Sequence, residues 1–148
     1  MTAWVFVAMA LMAGAALSLQ VAINAVLAKG TGHAVWAAAI SFFVGLTALL
    51  LIGTLSRARL PSLSVAGGLP WWAWVGGLLG AIYVVSTIVV IPKLGAATLI
   101  ALVVAGQMLT SLVLDHFGAF GLQEQGVTVW RAAGAVLLVA GVVLIRMV

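Results

Sequence analysis

Apolar residues fill five long runs of the chain, and short segments with polar, charged, glycine or proline residues separate these runs. Each run holds about 20 residues, enough for a helix rising 1.5 Å per residue to cross a hydrocarbon layer of roughly 30 Å. The predicted membrane helices are 3–28, 33–55, 70–92, 94–114 and 129–148. The pattern therefore predicts an all-α integral membrane protein, with one domain of five transmembrane helices over residues 1–148.

Turn-forming residues mark the boundaries between the predicted helices. The segment Lys29-Gly30-Thr31-Gly32 closes the first helix, which is too long for the core of a signal peptide and is interpreted as retained. Residues 56–69, with two arginines, Pro61 and a glycine pair, are predicted to form a loop. Pro70 is placed in the first turn of the third helix, and the tryptophans after it form an interfacial belt.

Composition excludes several classes of protein. Of the 148 residues 66% are hydrophobic and 5% are charged, whereas soluble domains carry about 25% charged residues. The net charge of +4 comes from six basic residues spread singly between apolar runs, which are typical of membrane anchors and not of nucleic-acid binding. With no cysteine, no metal spacing at the histidines and no catalytic or phosphate motif, we expect no metal, no cofactor and no enzymatic activity.

Uncharged polar residues inside the predicted helices are the candidates for substrate binding, because polar groups in a bilayer need partners and are often functional. Gln20 and Asn24 lie four apart on the first helix, so their amides share a face. The remaining candidates lie on the third and fourth helices: Tyr83, Ser86, Thr87, Gln107 and Ser111. The alternative for each residue is a bond across helices that only holds the bundle together.

Glycines at helical spacing are candidates for close helix packing. Gly76 and Gly80 share a stripe of the third helix with Tyr83, and Gly134 and Gly141 lie seven apart on the last helix. Small residues at such spacings let a second backbone approach closely in membranes. The last helix could therefore contact a second copy of the chain.

Candidates for ion coupling are few, because no Asp or Glu lies in the middle of a predicted helix. Coupling to protons would have to use Asp115 or His116, at the end of the fourth helix. The alternative is that Asp115 is a boundary residue paired with a nearby basic group.

Basic residues are balanced between the two sides of the predicted topology. Five crossings place Lys29, Lys93 and Arg146 on one side and Arg57, Arg59 and Arg131 on the other. Because basic residues in short loops set orientation, this balance favours insertion in both orientations and an inverted pair of copies. The alternative is a weak bias hidden by Arg131 and Arg146, which lie inside apolar runs.

Four segments resemble the YdcZ-like branch of the drug/metabolite transporter superfamily. These segments are LQVAINAVL (19–27), PWWAWVGGLLGAIYV (70–84), PKLGAATLIALVVAGQ (92–107) and LDHFG (114–118). The resemblance implies a five-helix inner-membrane unit that pairs with a second unit in the opposite orientation, as in the small multidrug resistance proteins. Those relatives depend on a carboxylate in the first helix, where this chain has Gln20 and Asn24. This departure puts antiport of a cation against protons in doubt.

The leading hypothesis is a transporter that works as an antiparallel homodimer by alternating access and moves a small polar or cationic solute. The lipid bilayer, a second inverted copy and the substrate are the expected partners. A passive channel built on the same dimer and a membrane scaffold that transports nothing are the alternatives.

Overall fold

The computed structural model describes residues 3–60 and 62–147. These residues form six α-helices: α1 (Ala3–Thr31), α2 (Ala34–Leu55), α3 (Leu63–Gly68), α4 (Gly76–Leu94), α5 (Ala96–His116) and α6 (Val129–Arg146). Two short 3₁₀ turns cover Trp71–Trp74 and Ala119–Gly121. Three parts of the sequence prediction lie outside the described residues: positions 1 and 2 of the domain, Pro61 of the loop, and Val148 at the end of the last helix.

Five helical segments of the described chain are long and apolar enough to cross a membrane. They are Trp4–Thr31, Ala34–Leu55, Trp71–Leu94, Ala96–His116 and Val129–Arg146. Most of their large apolar side chains are exposed, such as Leu55 at 83% and Trp130 at 86%. Such surfaces are unfavourable in water and suit contact with lipid. The prediction of an all-helical protein with five spans is confirmed.

The third predicted span begins and ends differently from its prediction. Pro70 precedes the 3₁₀ turn, in which the N–H of Val75 donates to the carbonyl of Trp72 at 3.1 Å, and α4 begins only at Gly76. At the other end α4 continues past Pro92 to Leu94, because a proline in a last turn removes only one backbone hydrogen bond. Gly95 then turns the chain with a φ of 75°, which glycine adopts without a steric penalty.

The segment 56–69 contains a helix that the loop prediction does not include. Helix α3 spans Leu63–Gly68, and the N–H of Val65 donates to the carbonyl of Ser62 at 3.0 Å. Five consecutive residues without proline or glycine, 62–66, permit this short helix, which ends at the pair Gly67-Gly68.

Residues 1–93 form one compact unit. Helices α1 and α2 pack as a hairpin through a turn at Gly32, which has a φ of 73°. The hairpin turn is fastened by His33, whose Nδ1 accepts the N–H of Val35 at 3.2 Å. The core of the unit joins Ala37 and Ala38 of α2 to two residues of α4, Val84 and Ile88. These four side chains, two small and two larger, form the buried apolar cluster of the unit.

Residues 94–148 form the second unit, in which α5 packs against α6. Leu99 and Ala105 of α5 and Ala135 and Val142 of α6 are its buried apolar residues within the described chain. Gly118, with a φ of 55°, begins the connection, and the N–H of Gln125 donates to the carbonyl of Asp115 at 2.7 Å. The assembly of both units into one five-helix domain stays a prediction.

Candidate substrate-binding site

The two amides of α1 lie in different environments. Asn24 is 3% exposed, whereas Gln20 is exposed. Gln20 lies at the edge of an open groove of about 360 Å³. Both residues lie on α1, but only Asn24 is enclosed by protein, and a shared binding role for the two amides stays a prediction.

Helix α2 contributes polar and aromatic groups that the sequence analysis did not select. Ser41, Phe42 and Gly45 line the groove beside Gln20. Ser41 is half-buried, and it is a hydroxyl in the middle of an apolar span. The rule that selected Gln20, a polar residue within a membrane helix, would also have selected Ser41.

Three candidates lie within two turns of α4 and differ in burial. Tyr83 packs against the core of the first unit, and its buried hydroxyl has no hydrogen-bond partner in the described part of the chain. Thr87 is 3% exposed, and its hydroxyl donates to the carbonyl of Val84 at 2.9 Å. Ser86 is exposed. Since the hydroxyl of Thr87 is bonded within its own helix, Tyr83 is the candidate of α4 with a buried and unpartnered hydroxyl among the described residues.

The candidates of α5 belong to the second unit. Gln107 is exposed, and Ser111 donates its hydroxyl to the carbonyl of Met108 at 2.9 Å. Asn24 and Tyr83 belong to the first unit. A shared site that includes Gln107 and Ser111 as well stays a prediction.

Asp115 is paired with a basic residue. Its Oδ2 lies 3.4 Å from Nη1 of Arg131, and each side chain is 34% exposed. Arg131 also donates to the side-chain amide oxygen of Gln125 and, at 3.4 Å, to the backbone carbonyl of Gln125. His116 is exposed and meets Phe117 edge to face, with ring centroids 4.9 Å apart. This ion pair agrees with the alternative in which Asp115 is a boundary residue paired with a nearby basic group. A coupling role for Asp115 or His116 stays a prediction.

The four selected glycines have different surroundings. A Cβ atom on Gly80 would lie 3.4 Å from Cζ of Phe42, so Gly80 lies at a contact between α4 and α2. A Cβ atom on Gly76, Gly134 or Gly141 would have no neighbour within 4 Å. Gly134 and Gly141 border two separate grooves between α5 and α6. Both therefore remain open to a further helix.

Comparison with known proteins gives the family. Residues 5–144 match the family described as "Putative inner membrane exporter, YdcZ". This chain belongs to the YdcZ family. The YdcZ-family chain is also 39% identical over 71 residues to a protein named "Inner membrane protein YdcZ" from Escherichia coli (strain K12). The aligned part covers 48% of this chain and 47% of that relative, so it spans about half of the relative's length.

No solved structure matches the YdcZ-family chain. Family membership and five apolar helices make it a multi-pass protein of the inner membrane, and the family description supports a membrane transporter. The resemblance in the sequence analysis is thereby confirmed.

Proposed function

We propose that this chain is one half of an inner-membrane transporter. Two copies in opposite orientations form the transporter, and a polar cavity between them opens alternately to each side of the membrane. The solute is small and polar or cationic, and the family description favours export.

The observation that carries the proposed binding site is the pair of buried polar groups in the first unit. The amide of Asn24 is 3% exposed. The hydroxyl of Tyr83 is buried, with no partner among the described residues. A buried hydroxyl without a partner costs about 1–3 kcal/mol. A bound polar solute would remove this cost and supply the missing hydrogen bond.

The polar groups of the proposed cavity differ in what they offer a solute. An amide supplies two N–H donors and one carbonyl acceptor, and a tyrosine hydroxyl donates one bond and accepts another. Gln20 and Gln107 would add amides, and Ser86, Thr87 and Ser111 would contribute in support. Amide and hydroxyl oxygens hold a cation or a hydroxylated solute without adding a fixed charge to the membrane interior.

The inverted pairing is supported by charge and by open glycines. Three basic residues on each side of the predicted topology supply no orientation bias. Gly134 and Gly141 are seven residues apart on α6. A Cβ atom at either position would have no neighbour within 4 Å. A helix of the second copy could therefore pack closely there.

A ligand-stabilisation screen tests the binding site. Purified full-length protein would be heated with monovalent organic cations such as tetraphenylphosphonium and with neutral polyols. We expect a compound that raises the unfolding temperature of the wild type and of Thr47→Val, but not of Tyr83→Phe or Asn24→Leu. Thr47 is the matched control because its exposed hydroxyl already donates to Phe43 of its own helix at 2.9 Å.

The Tyr83→Phe variant distinguishes a loss of ligand binding from a loss of folding stability. Removing an unpartnered buried hydroxyl should leave the protein at least as stable as the wild type. A ligand response that persists in both Tyr83→Phe and Asn24→Leu would refute the proposed site.

Flux measurements in proteoliposomes discriminate the carrier from its alternatives. A carrier saturates with solute and shows counterflow, whereas a passive channel shows neither. A scaffold would keep its function in Asn24→Leu and lose it when a bulky residue replaces Gly141.

A further inference from the structure

A groove of about 500 Å³ lies at the end of α2, within the first unit. Leu49, Leu50 and Leu60 form apolar walls, and Thr54, Arg57 and Arg59 supply the polar groups. Leu50 lies five residues before the end of α2, which is about 8 Å along a helix. The lining residues of the groove thus include two arginines just beyond a candidate membrane span and two leucines, Leu49 and Leu50, within that span.

The charge of this groove is uncompensated within its unit. Residues 1–93 contain no aspartate or glutamate, since the chain's two acidic residues are Asp115 and Glu124. Asp115 pairs with Arg131, which is the one ion pair among residues 3–60 and 62–147. Arg57 and Arg59 are both exposed. No carboxylate of their own unit can neutralise these two arginines.

The backbone at Arg57 fixes the direction in which its side chain leaves the helix end. The N–H of Ala58 donates to the carbonyl of Gly53 at 2.9 Å, and the N–H of Arg57 donates to the carbonyl of Thr54 at 3.1 Å. These two bonds form a Schellman motif. Arg57 occupies its left-handed position with a φ of 53°, where glycine is the usual residue. A charged side chain is therefore held where the backbone alone would favour glycine.

We propose that this groove binds an anionic phospholipid of the surrounding bilayer. The lipid phosphate would lie against Arg57 and Arg59, and an acyl chain would lie along Leu49 and Leu50. Guanidinium groups suit phosphate because their planar array of N–H donors matches its oxygens. The apolar walls favour a lipid over a soluble phosphate, since only a lipid would bury hydrocarbon against them.

This site is distinct from the proposed solute-binding site. It lies at a span boundary and shares no residue with the Asn24 and Tyr83 site. Failure of either proposal would leave the other standing.

Native mass spectrometry of the full-length protein in detergent tests the lipid site. The probes are phosphatidylglycerol, which is anionic, phosphatidylethanolamine, which is zwitterionic, and glycerol 1-phosphate, which has no acyl chain. We expect the wild type to prefer phosphatidylglycerol to phosphatidylethanolamine. Loss of each arginine, in Arg57→Gly or Arg59→Gln, should reduce this preference about fivefold. Glycerol 1-phosphate should not displace the bound lipid.

Matched variants keep the experiment independent of stability and of total charge. Arg57→Gly removes the guanidinium while supplying the residue that the left-handed position favours, so weaker lipid binding cannot be attributed to misfolding. Lys29→Gln with Lys93→Gln removes two charges at other boundaries and should retain the preference. Unchanged preference in Arg57→Gly and Arg59→Gln, an equal loss in the lysine variant, or displacement by glycerol 1-phosphate would each overturn the proposal.

Discussion

Arg57 shows at the scale of one residue how local backbone geometry and side-chain function can conflict. Its φ of 53° lies in the left-handed region, which costs an L-residue with a side chain roughly 1–2 kcal/mol. The Schellman bonds at the end of α2 require this conformation. This backbone conformation favours glycine, so it does not explain why residue 57 is an arginine.

We expect Arg57→Gly to raise the free energy of unfolding by about 0.5–1 kcal/mol. The gain is smaller than the full strain because glycine also increases the conformational entropy of the unfolded chain. Unfolding of the purified protein by SDS in mixed micelles would measure it. Arg59→Gly is the control, because Arg59 is not among the described residues with positive φ. An equal gain in both variants would show that charge, and not φ, is responsible.

Asp115 and Arg131 form a partly exposed ion pair, and such pairs contribute little to stability. Each side chain is 34% exposed, so water screens the attraction between the two charges. In a double-mutant cycle of Asp115→Asn and Arg131→Gln, we expect a coupling free energy below about 1 kcal/mol. The cycle would be measured by SDS unfolding, with Glu124→Gln as the control for a carboxylate outside the pair. A coupling above about 2 kcal/mol would mean that the pair is desolvated.

The candidate site was partly predictable from residue types. A polar residue in an apolar run identifies Gln20, Asn24 and Tyr83 as candidates, because the bilayer penalises unsatisfied polar groups wherever they lie. The same pattern does not reveal that Asn24 is buried and Gln20 exposed, since burial depends on how the helices pack. Nor could the sequence alone decide between a coupling role for Asp115 and its pairing with Arg131.

At the scale of helices, small residues determine where α4 meets α2. A Cβ atom on Gly80 would lie 3.4 Å from Cζ of Phe42. One and two turns further along α4, Val84 and Ile88 share a buried cluster with Ala37 and Ala38. In a bilayer such close contacts supply packing that the hydrophobic effect does not provide between helices.

Substitutions of Gly80 should show whether the contact between Gly80 and Phe42 limits the size of the side chain at position 80. Gly80→Ala places a Cβ atom 3.4 Å from Cζ of Phe42, which is an ordinary contact, so we expect a change within about 0.5 kcal/mol. Gly80→Leu must displace the Phe42 ring and should lower the free energy of unfolding by about 1–3 kcal/mol. The measurement is SDS unfolding of each variant.

Gly77→Leu is the matched control on the same helix. A Cβ atom at Gly77 would have no neighbour within 4 Å. Leucine there should therefore leave stability unchanged or improve it through its higher helix propensity. If Gly77→Leu were as destabilising as Gly80→Leu, the contact with Phe42 would not be the cause.

At the scale of the whole molecule, the distribution of basic residues bears on how the chain is oriented in the membrane. Three basic residues lie on each side of the predicted topology, so neither orientation is favoured by charge. An inverted dimer of identical chains requires both orientations in the same membrane. Orientation is therefore the property on which the proposed transporter depends.

We expect the wild-type chain to insert in both orientations in comparable amounts. Arg57→Gln with Arg59→Gln leaves Lys29, Lys93 and Arg146 in excess and should place the C-terminus predominantly in the cytoplasm. Lys29→Gln with Lys93→Gln should have the opposite effect. Fusion of a fluorescent protein or alkaline phosphatase to the C-terminus reports each orientation. A single orientation in the wild type, unaltered by either pair of substitutions, would contradict the inverted dimer.

The sequence by itself determined the class of the protein, its membrane location and its five spans. These properties follow from local hydrophobicity, because a bilayer selects helices by the length of their apolar runs and requires every backbone group to be bonded within the helix. The family resemblance was also contained in local motifs, which the match over residues 5–144 confirmed.

Only the tertiary structure decided which polar groups are enclosed and which remain at a surface. The burial of Asn24, the unpartnered hydroxyl of Tyr83, the pairing of Asp115 with Arg131 and the groove at Arg57 all depend on contacts between segments. Hydrophobic periodicity could not predict them, because a membrane helix is largely apolar on every side, so the pattern of apolar positions does not mark the face that meets protein. The choice of face comes from small residues and complementary side-chain shapes, which act only when two helices are packed together.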